Sequence, residues 1–263
     1  MKLTPIRRTV QVCLLVLLFL VPWLNQQGIA FLNGTLYSFA IGPLWITDPA
    51  IGLQTLFTTR SLDTVLLLSM LLPVVLALVC GRVFCGWLCP QNTLSELADV
   101  VAGRLKIRRA LHPAPAPTLR LVMLGIILVL AAVVGLPLVS LLSAPGILSV
   151  QTARIVLEKT VGAELGLVGF IVVVEFFLVR RAWCNFLCPV GTVLGFFRVR
   201  RTMKVVFSEE ETRHCTRCHA CAQACQLGLD PVAGGLYPQC HNCGACIEAC
   251  KIDLTRKPLF FQF

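Results

Sequence analysis

Cys215-Thr216-Arg217-Cys218-His219-Ala220-Cys221-Ala222-Gln223-Ala224-Cys225 is followed by Cys240-His241-Asn242-Cys243-Gly244-Ala245-Cys246-Ile247-Glu248-Ala249-Cys250. Both stretches have the spacing Cys-x2-Cys-x2-Cys-x3-Cys. Three closely set thiolates wrap three corners of one cubane, and the fourth cysteine crosses to the other cluster. The spacing therefore predicts two [4Fe–4S] clusters. Cluster A takes Cys215, Cys218, Cys221 and Cys250; cluster B takes Cys225, Cys240, Cys243 and Cys246. The small residues Ala220, Ala224, Gly244 and Ala245 suit a backbone pressed against sulfide. Zinc sites use other spacings, and disulfides are disfavoured in a reducing compartment. His214, His219 and His241 flank these cysteines and read as solvated neighbours rather than ligands. Gln226 and Lys251 stand where proline usually follows the fourth cysteine, which affects the local turn and not ligation.

Outside this tail the chain is unusually apolar. Of its 263 residues 57% are hydrophobic and 14% charged, with mean hydropathy +0.82. That composition predicts several bilayer spans, over about 10–24, 64–80, 119–142 and 164–179. Lys2, Arg7, Arg8, then Arg82, Arg104, Lys106, Arg108 and Arg109, then Arg180, Arg181, Arg198, Arg200, Arg201 and Lys204 gather on one side of such an arrangement. The positive-inside rule then puts both termini and the 81–118 segment in the cytoplasm of a bacterial inner (cytoplasmic) membrane, and the 25–62 and 143–163 loops outside. The formal charge of +10 flanks the spans and forms no continuous basic stripe, so nucleic-acid binding is not supported.

The two halves of the apolar region read alike. Each has a helix, a loop (Asp48-Pro49-Ala50-Ile51-Gly52 or Ala144-Pro145-Gly146-Ile147), a second helix, and a Cys-x3-Cys-Pro motif: Cys85, Cys89 and Pro90, then Cys184, Cys188 and Pro189. These four thiols form a possible third redox site, as a further cluster, as dithiols or as a contact to a partner's metal; the alternative is packing at a helix end. Two spans per unit make a parallel repeat, which brings both motifs to one depth. The expected organisation is a first transmembrane repeat (1–110), a Pro/Ala linker (111–118), a second repeat (119–200) and a cluster domain (201–263). In class this is an all-α membrane protein, a four-helix transmembrane bundle from a two-fold internal repeat. A small cytoplasmic α+β domain of 2[4Fe–4S] ferredoxin type completes it.

Glu175 is the one acidic residue well inside a span. Ionisable groups in lipid tend to mark function, so Glu175 is a candidate catalytic proton acceptor. Gln54, Gln151 and Asp48 read as helix caps before a headgroup site. None of the four histidines (His112, His214, His219, His241) lies in a span, so a haem buried there is not supported.

The four spans, the paired Cys-x3-Cys-Pro motifs, the Thr47-Asp48-Pro49 loop and the two-cluster tail together resemble the NapH/MauN group of ferredoxin-type membrane proteins. That group is related to the membrane parts of NosR and CcoG. The resemblance, closest to NapH in size, implies an electron-transfer component rather than a complete enzyme: a quinol dehydrogenase membrane subunit with quinol as substrate. It implies lipid and quinone as surroundings, and as partners a NapG-type periplasmic iron–sulfur protein and/or a membrane-anchored c-type cytochrome. Electrons would pass toward periplasmic nitrate reductase. The alternative is an accessory role, supplying electrons for assembly of a periplasmic metalloenzyme, as in MauN-, NosR- or CcoG-like proteins.

Overall fold

The apolar run after Thr9 forms one long helix, α1 (Leu3–Gln26), with Pro22 in its last turns. In this computed structural model, residues 3–29, 32–61, 63–107, 117–199, 201–208, 215–233, 236, 239–250 and 258–263 are described. The expectations placed on Lys2, Arg108, Arg109, His112, Arg200, His214, Lys251 and positions 111–116 of the linker lie outside the described residues.

After α1 an antiparallel meander of β1 (Leu32–Gly34), β2 (Ser38–Ile41) and β3 (Leu44–Thr47) leads into α2 (Pro49–Thr59) and α3 (Thr64–Cys80). A single π turn, Phe84–Leu88, and α4 (Pro90–Arg104) follow. Then come α5 (Pro117–Val134), α6 (Leu138–Leu142), α7 (Ala144–Leu157), α8 (Glu164–Phe177), a second π turn at Trp183–Leu187, and α9 (Pro189–Phe196). The tail comprises β4 (Lys204–Phe207), α10 (Ala220–Ala224), α11 (Ala245–Ala249) and β5 (Leu259–Gln262), with β4 and β5 antiparallel. Proline opens α2, α4 and α9, where its missing N–H has no helical acceptor to lose. Gly135, with φ +73°, and Pro137 end α5, so the third expected span stops at Val134 rather than Leu142. At its other end α5 takes in Pro117 and Thr118, the last two residues assigned to the linker.

Burial is inverted relative to a water-soluble protein. Large apolar side chains face outward on all four long apolar helices, including Val16 and Phe19 on α1, Leu68 and Leu71 on α3, Val129 and Val133 on α5, and Phe170 and Val173 on α8. Arginine, glutamine and asparagine lie inside, among them Arg7, Arg82, Gln91, Asn92, Arg120, Arg181 and Asn185. Exposed apolar faces of this extent need a lipid or protein surface. α1 and α5 are long and apolar enough to cross a bilayer. α3, with 17 residues, and α8, with 14, reach only about 25 and 21 Å.

The packing corrects the expected four-helix bundle. α1, α3, α5 and α8 meet one another chiefly through shorter helices: α1 packs on α7, α5 on α2, α8 on α4, and α3 on α9. The segments 25–62 and 143–163, read as loops, contain α2 and α7, and Ala50, Ala144 and Ile147 of these helices are core residues. Gln54 and Gln151 hold the interior turns together as helix caps. The Gln54 side-chain oxygen accepts the N–H of Val139 at the start of α6 (2.5 Å), and that of Gln151 accepts the N–H of Gly162 just before α8 (2.8 Å).

The tail is docked on one end of the helical region, the end holding the α1 and α5 N-termini and the α3 and α8 C-termini. Met203 N–H bonds to the Val79 carbonyl (2.9 Å) and Thr202 to that of Leu78 (2.7 Å). Asn242, fully buried, donates to the carbonyls of Cys80 (3.0 Å) and Met203 (2.7 Å). Thr4 of α1 bonds Glu248 of the tail.

Candidate iron–sulfur centres

The two tail motifs share a local backbone device. Arg217 and Asn242, just before the second cysteine, and His219 and Gly244, just after it, all have positive φ. Left-handed residues alternating with right-handed ones turn the loop tightly and aim successive N–H groups inward, the kind of nest that suits an anionic sulfur cluster. For Arg217, His219 and Asn242 this conformation is a local cost retained at a site. Each loop then enters a five-residue helix, α10 or α11, and these pack together.

The tertiary arrangement sorts the eight cysteines into two groups of four. Cys215, Cys218, Cys221 and Cys250 line one cavity of about 270 Å³, beside Asp230 and Leu259. Cys225, Cys240, Cys243 and Cys246 line a second, enclosed by Val205, Leu227, Leu229 and Leu236. The grouping crosses between motifs, each taking its fourth cysteine from the other. Among the described residues no three His, Cys, Asp or Glu converge as ligands of a single ion, and a cubane spaces its thiolates more widely. Both cysteine quartets fit [4Fe–4S] clusters as a donor set, and the second is in addition enclosed by apolar side chains. Burial pushes the Cys240 thiol up to about 12.

The Cys-x3-Cys-Pro motifs have a matching device. Each first cysteine sits within a π turn closed by an i→i−5 bond, Cys89 N–H to the Phe84 carbonyl and Cys188 N–H to that of Trp183, both 2.9 Å. The wide turn places the two thiols of each motif on one side before proline starts the next helix. α1 packs on the first π turn and α5 on the second, while α4 with α8 and α2 with α9 join the halves, and Cys89 comes within electrostatic reach of Cys85, Cys184 and Cys188. The Cys89 thiol is pushed up by burial and then by Cys85, Cys184 and Cys188; that of Cys188 rises to about 11, by burial and then Cys85. Cys80 and Cys13 stand apart from this group: Cys13 is exposed on α1.

The 240–246 loop lies directly on the first π turn. Trp87 donates to the Asn242 carbonyl (3.1 Å), and a Cβ on Gly86 would sit 2.7 Å from the His241 carbonyl oxygen. Cys184 packs against the tail core, as Cys225 and Cys240 do. We therefore expect Gly86→Ala to loosen the docked tail by about 1–3 kcal/mol, seen as faster proteolysis after residue 201. Gly103→Ala, where the added carbon meets nothing within 4 Å, should behave as wild type.

Several residues here take a different place from the one the sequence assigns them. Arg82 and Arg181 each stand three positions before the first cysteine of their motif, and are 2% and 1% exposed. The sequence reading counts them, with Arg7, as topology charges, whereas in the fold they are interior. Arg181 donates to the Asn92 carbonyl (2.7 Å) and side chain (3.0 Å) and lies 3.4 Å from Asp99. Arg7 pairs with Glu96 at 2.7 Å. The signal that could have found the pair was the longer repeat Arg-x2-Cys-x3-Cys-Pro. His241, read as solvated, is buried. Its pKa falls well below the usual value through burial and then through Arg82, Arg181, Arg7 and Arg120. His219 is exposed as expected. Glu175 is buried, and its Oε1 accepts the Trp183 N–H (3.2 Å) at the start of the second π turn.

A helical protein with an exposed apolar girdle and two cysteine quartets lining cavities in its tail is an iron–sulfur electron-transfer protein of ferredoxin type. Residues 62–108 and 161–205, each holding one Cys-x3-Cys-Pro motif, match the family described as a 4Fe-4S binding domain. The chain is 31% identical to the methylamine utilization ferredoxin-type protein MauN of Methylobacillus flagellatus, over 83% of this chain and 74% of that protein. It is 33% identical to MauN of Methylorubrum extorquens, over 75% and 67%. With the ferredoxin-type protein NapH of Escherichia coli it shares 29%, over 84% and 73%. The chain belongs to this MauN/NapH family of ferredoxin-type proteins. No solved structure matches it.

Proposed function

We propose that this chain is the membrane component of a quinol-oxidising electron-transfer system, and that its tail carries two [4Fe–4S] clusters ligated as the two cavities group the cysteines. The observation that carries the reading is continuity. Cys184 packs against the core around cluster B's cysteines, and α10 against α11 joins B to A, so electrons released at the apolar girdle have a short protein path outward. Each quinol gives two electrons, one at a time, and two protons. Glu175 receives one proton and water the other.

In this reading the protein is multi-pass. Residues 1–110 and 119–200 are two copies of one unit joined by 111–118, and 201–263 is the cluster domain. The contacts support the repeat because they exchange in pairs. α1 with α7 answers α5 with α2, α4 with α8 answers α9 with α3, and α1 with the first π turn answers α5 with the second. Arg8, Arg104, Lys106, Arg198 and Lys204 favour the cytoplasm for the tail and the N-terminus. The relative named NapH favours nitrate respiration, with NapG-type and c-type cytochrome partners. Identity is higher to proteins named for methylamine utilization, which favours supply of electrons to that system as the second reading.

The test is to place the anaerobically purified protein in liposomes with ubiquinol or menaquinol and follow cluster bleaching. Reduction at the quinol potential supports the proposal; clusters that stay oxidised with both quinols sink it. Glu175→Gln keeps an oxygen for the Trp183 N–H and loses the acid. Quinol oxidation should slow on the order of 10²-fold, and wild-type turnover would remove Glu175 from the pathway.

A further inference from the structure

We infer that Cys85, Cys89, Cys184 and Cys188 ligate a third [4Fe–4S] cluster, shared between the two halves of the helical region and lying between the girdle and cluster B. The inference deepens the proposed function by naming the first stop of its electrons.

Three observations converge. First, the thiols are gathered from distant parts of the chain. Each π turn supplies two sulfurs, too few for a cubane, and the fold brings the two pairs into mutual electrostatic reach. Each of the two segments matching a 4Fe-4S binding family holds one pair, so a single shared cluster uses both. As in the tail, the sulfurs do not close on one point as a lone ion would need.

Second, the surroundings are strongly cationic. Cys188 and its neighbours lie beside Arg82 and Arg120, 2% and 5% exposed, and Arg181 faces Cys184. Arg181 has Asp99, but Nε and Nη2 of Arg120 have no hydrogen-bond partner among the described residues. A buried guanidinium without a counter-charge is costly. Four thiolates around an oxidised cubane core carry a net charge of about −2, and neutral thiols carry none. The Arg120 guanidinium, which has no counter-charge among the described residues, is explained by an anionic cluster, and Arg82 and Arg181 add to the same positive field. Gly191 allows the approach: a Cβ there would sit 2.5 Å from Arg82 and 3.2 Å from Arg120, and its N–H points at the Cys188 sulfur (3.4 Å), as cluster sulfurs are commonly hydrogen-bonded.

Third, the position suits a relay. Gly86 and Trp87, between Cys85 and Cys89, touch His241, Asn242 and Cys243 of cluster B's loop. The step is a transfer of one electron in and one out, with no bond formed or broken. The donor is the quinol of the proposed function and the acceptor is cluster B.

Iron and acid-labile sulfide per chain test this on the full protein, purified and reconstituted without oxygen. About twelve irons are expected where two clusters would give about eight. Cys89→Ser with Cys188→Ser should return the count to about eight and remove one EPR component while those of the tail persist. A wild-type count of about eight, a quartet filled by zinc or copper, or a double variant that keeps twelve overturns the inference. If the double variant does not fold, the wild-type count and Mössbauer quantification decide alone. A protein with eight irons that quinol still reduces sinks the third cluster and leaves the proposed function standing; twelve irons that quinol cannot reduce does the reverse.

Discussion

Cys218→Ala should remove cluster A and nothing else: iron falls by about four per chain, one EPR signal disappears, and the protein still inserts. Cys218 is exposed at the mouth of its cavity, so the substitution leaves no void in the core. The cross-over adds a sharper form of the test. Cys225 belongs to the first motif by sequence but lines the second cavity, with Cys240, Cys243 and Cys246. Cys225→Ala should therefore eliminate the signal that Cys243→Ala eliminates, and spare the one lost with Cys218. If Cys225 and Cys218 instead extinguish the same signal, each motif holds its own cluster and the crossed assignment falls.

Arg181→Met should be the most destabilising single change in the helical region, at about 3–5 kcal/mol. Removing one partner of a buried pair leaves the other's polar groups without compensation. Arg181 ties the second π turn to the first half through the carbonyl and side chain of Asn92 and through Asp99. Its loss leaves the buried Asn92 side-chain oxygen without its donor. Asp99 retains Arg180 at 3.1 Å, but that arginine is partly exposed, so the compensation is incomplete. The expected readouts are a lower unfolding midpoint in detergent and loss of iron from the protein. Arg104→Met, at the solvent end of α4, should change neither; equal stability of Arg181→Met and wild type would refute the role given to the pair.

The tail was legible because its information is local. Three cysteines two residues apart can reach one cubane without help from the rest of the chain, and the spacing alone names eight candidate sulfurs, which the fold groups four and four. The long apolar runs were legible for a similar reason, since hydropathy summed over a helix needs no knowledge of its neighbours. α2 and α7 were harder. They are short, carry Thr and Gln, and start behind Asp48-Pro49 and Ser143-Ala144-Pro145, which are helix-start signals hidden in what reads as loop. Arg7, Arg82 and Arg181 were misplaced because a charge beside an apolar run looks the same whether it points to water or into a cluster of cysteines.

What the amino-acid order settles alone, then, is chemistry with short range: which residues carry sulfur, which runs avoid water, and where two motifs repeat. Gathering Cys85 and Cys89 with Cys184 and Cys188, nearly a hundred residues apart in the chain, needed contacts between the halves, of α1 with α7, α2 with α5 and α9, and α4 with α8. The same packing turned three arginines inward and seated Asn242 against Cys80. These are consequences of long-range contacts, whose partners no local pattern specifies.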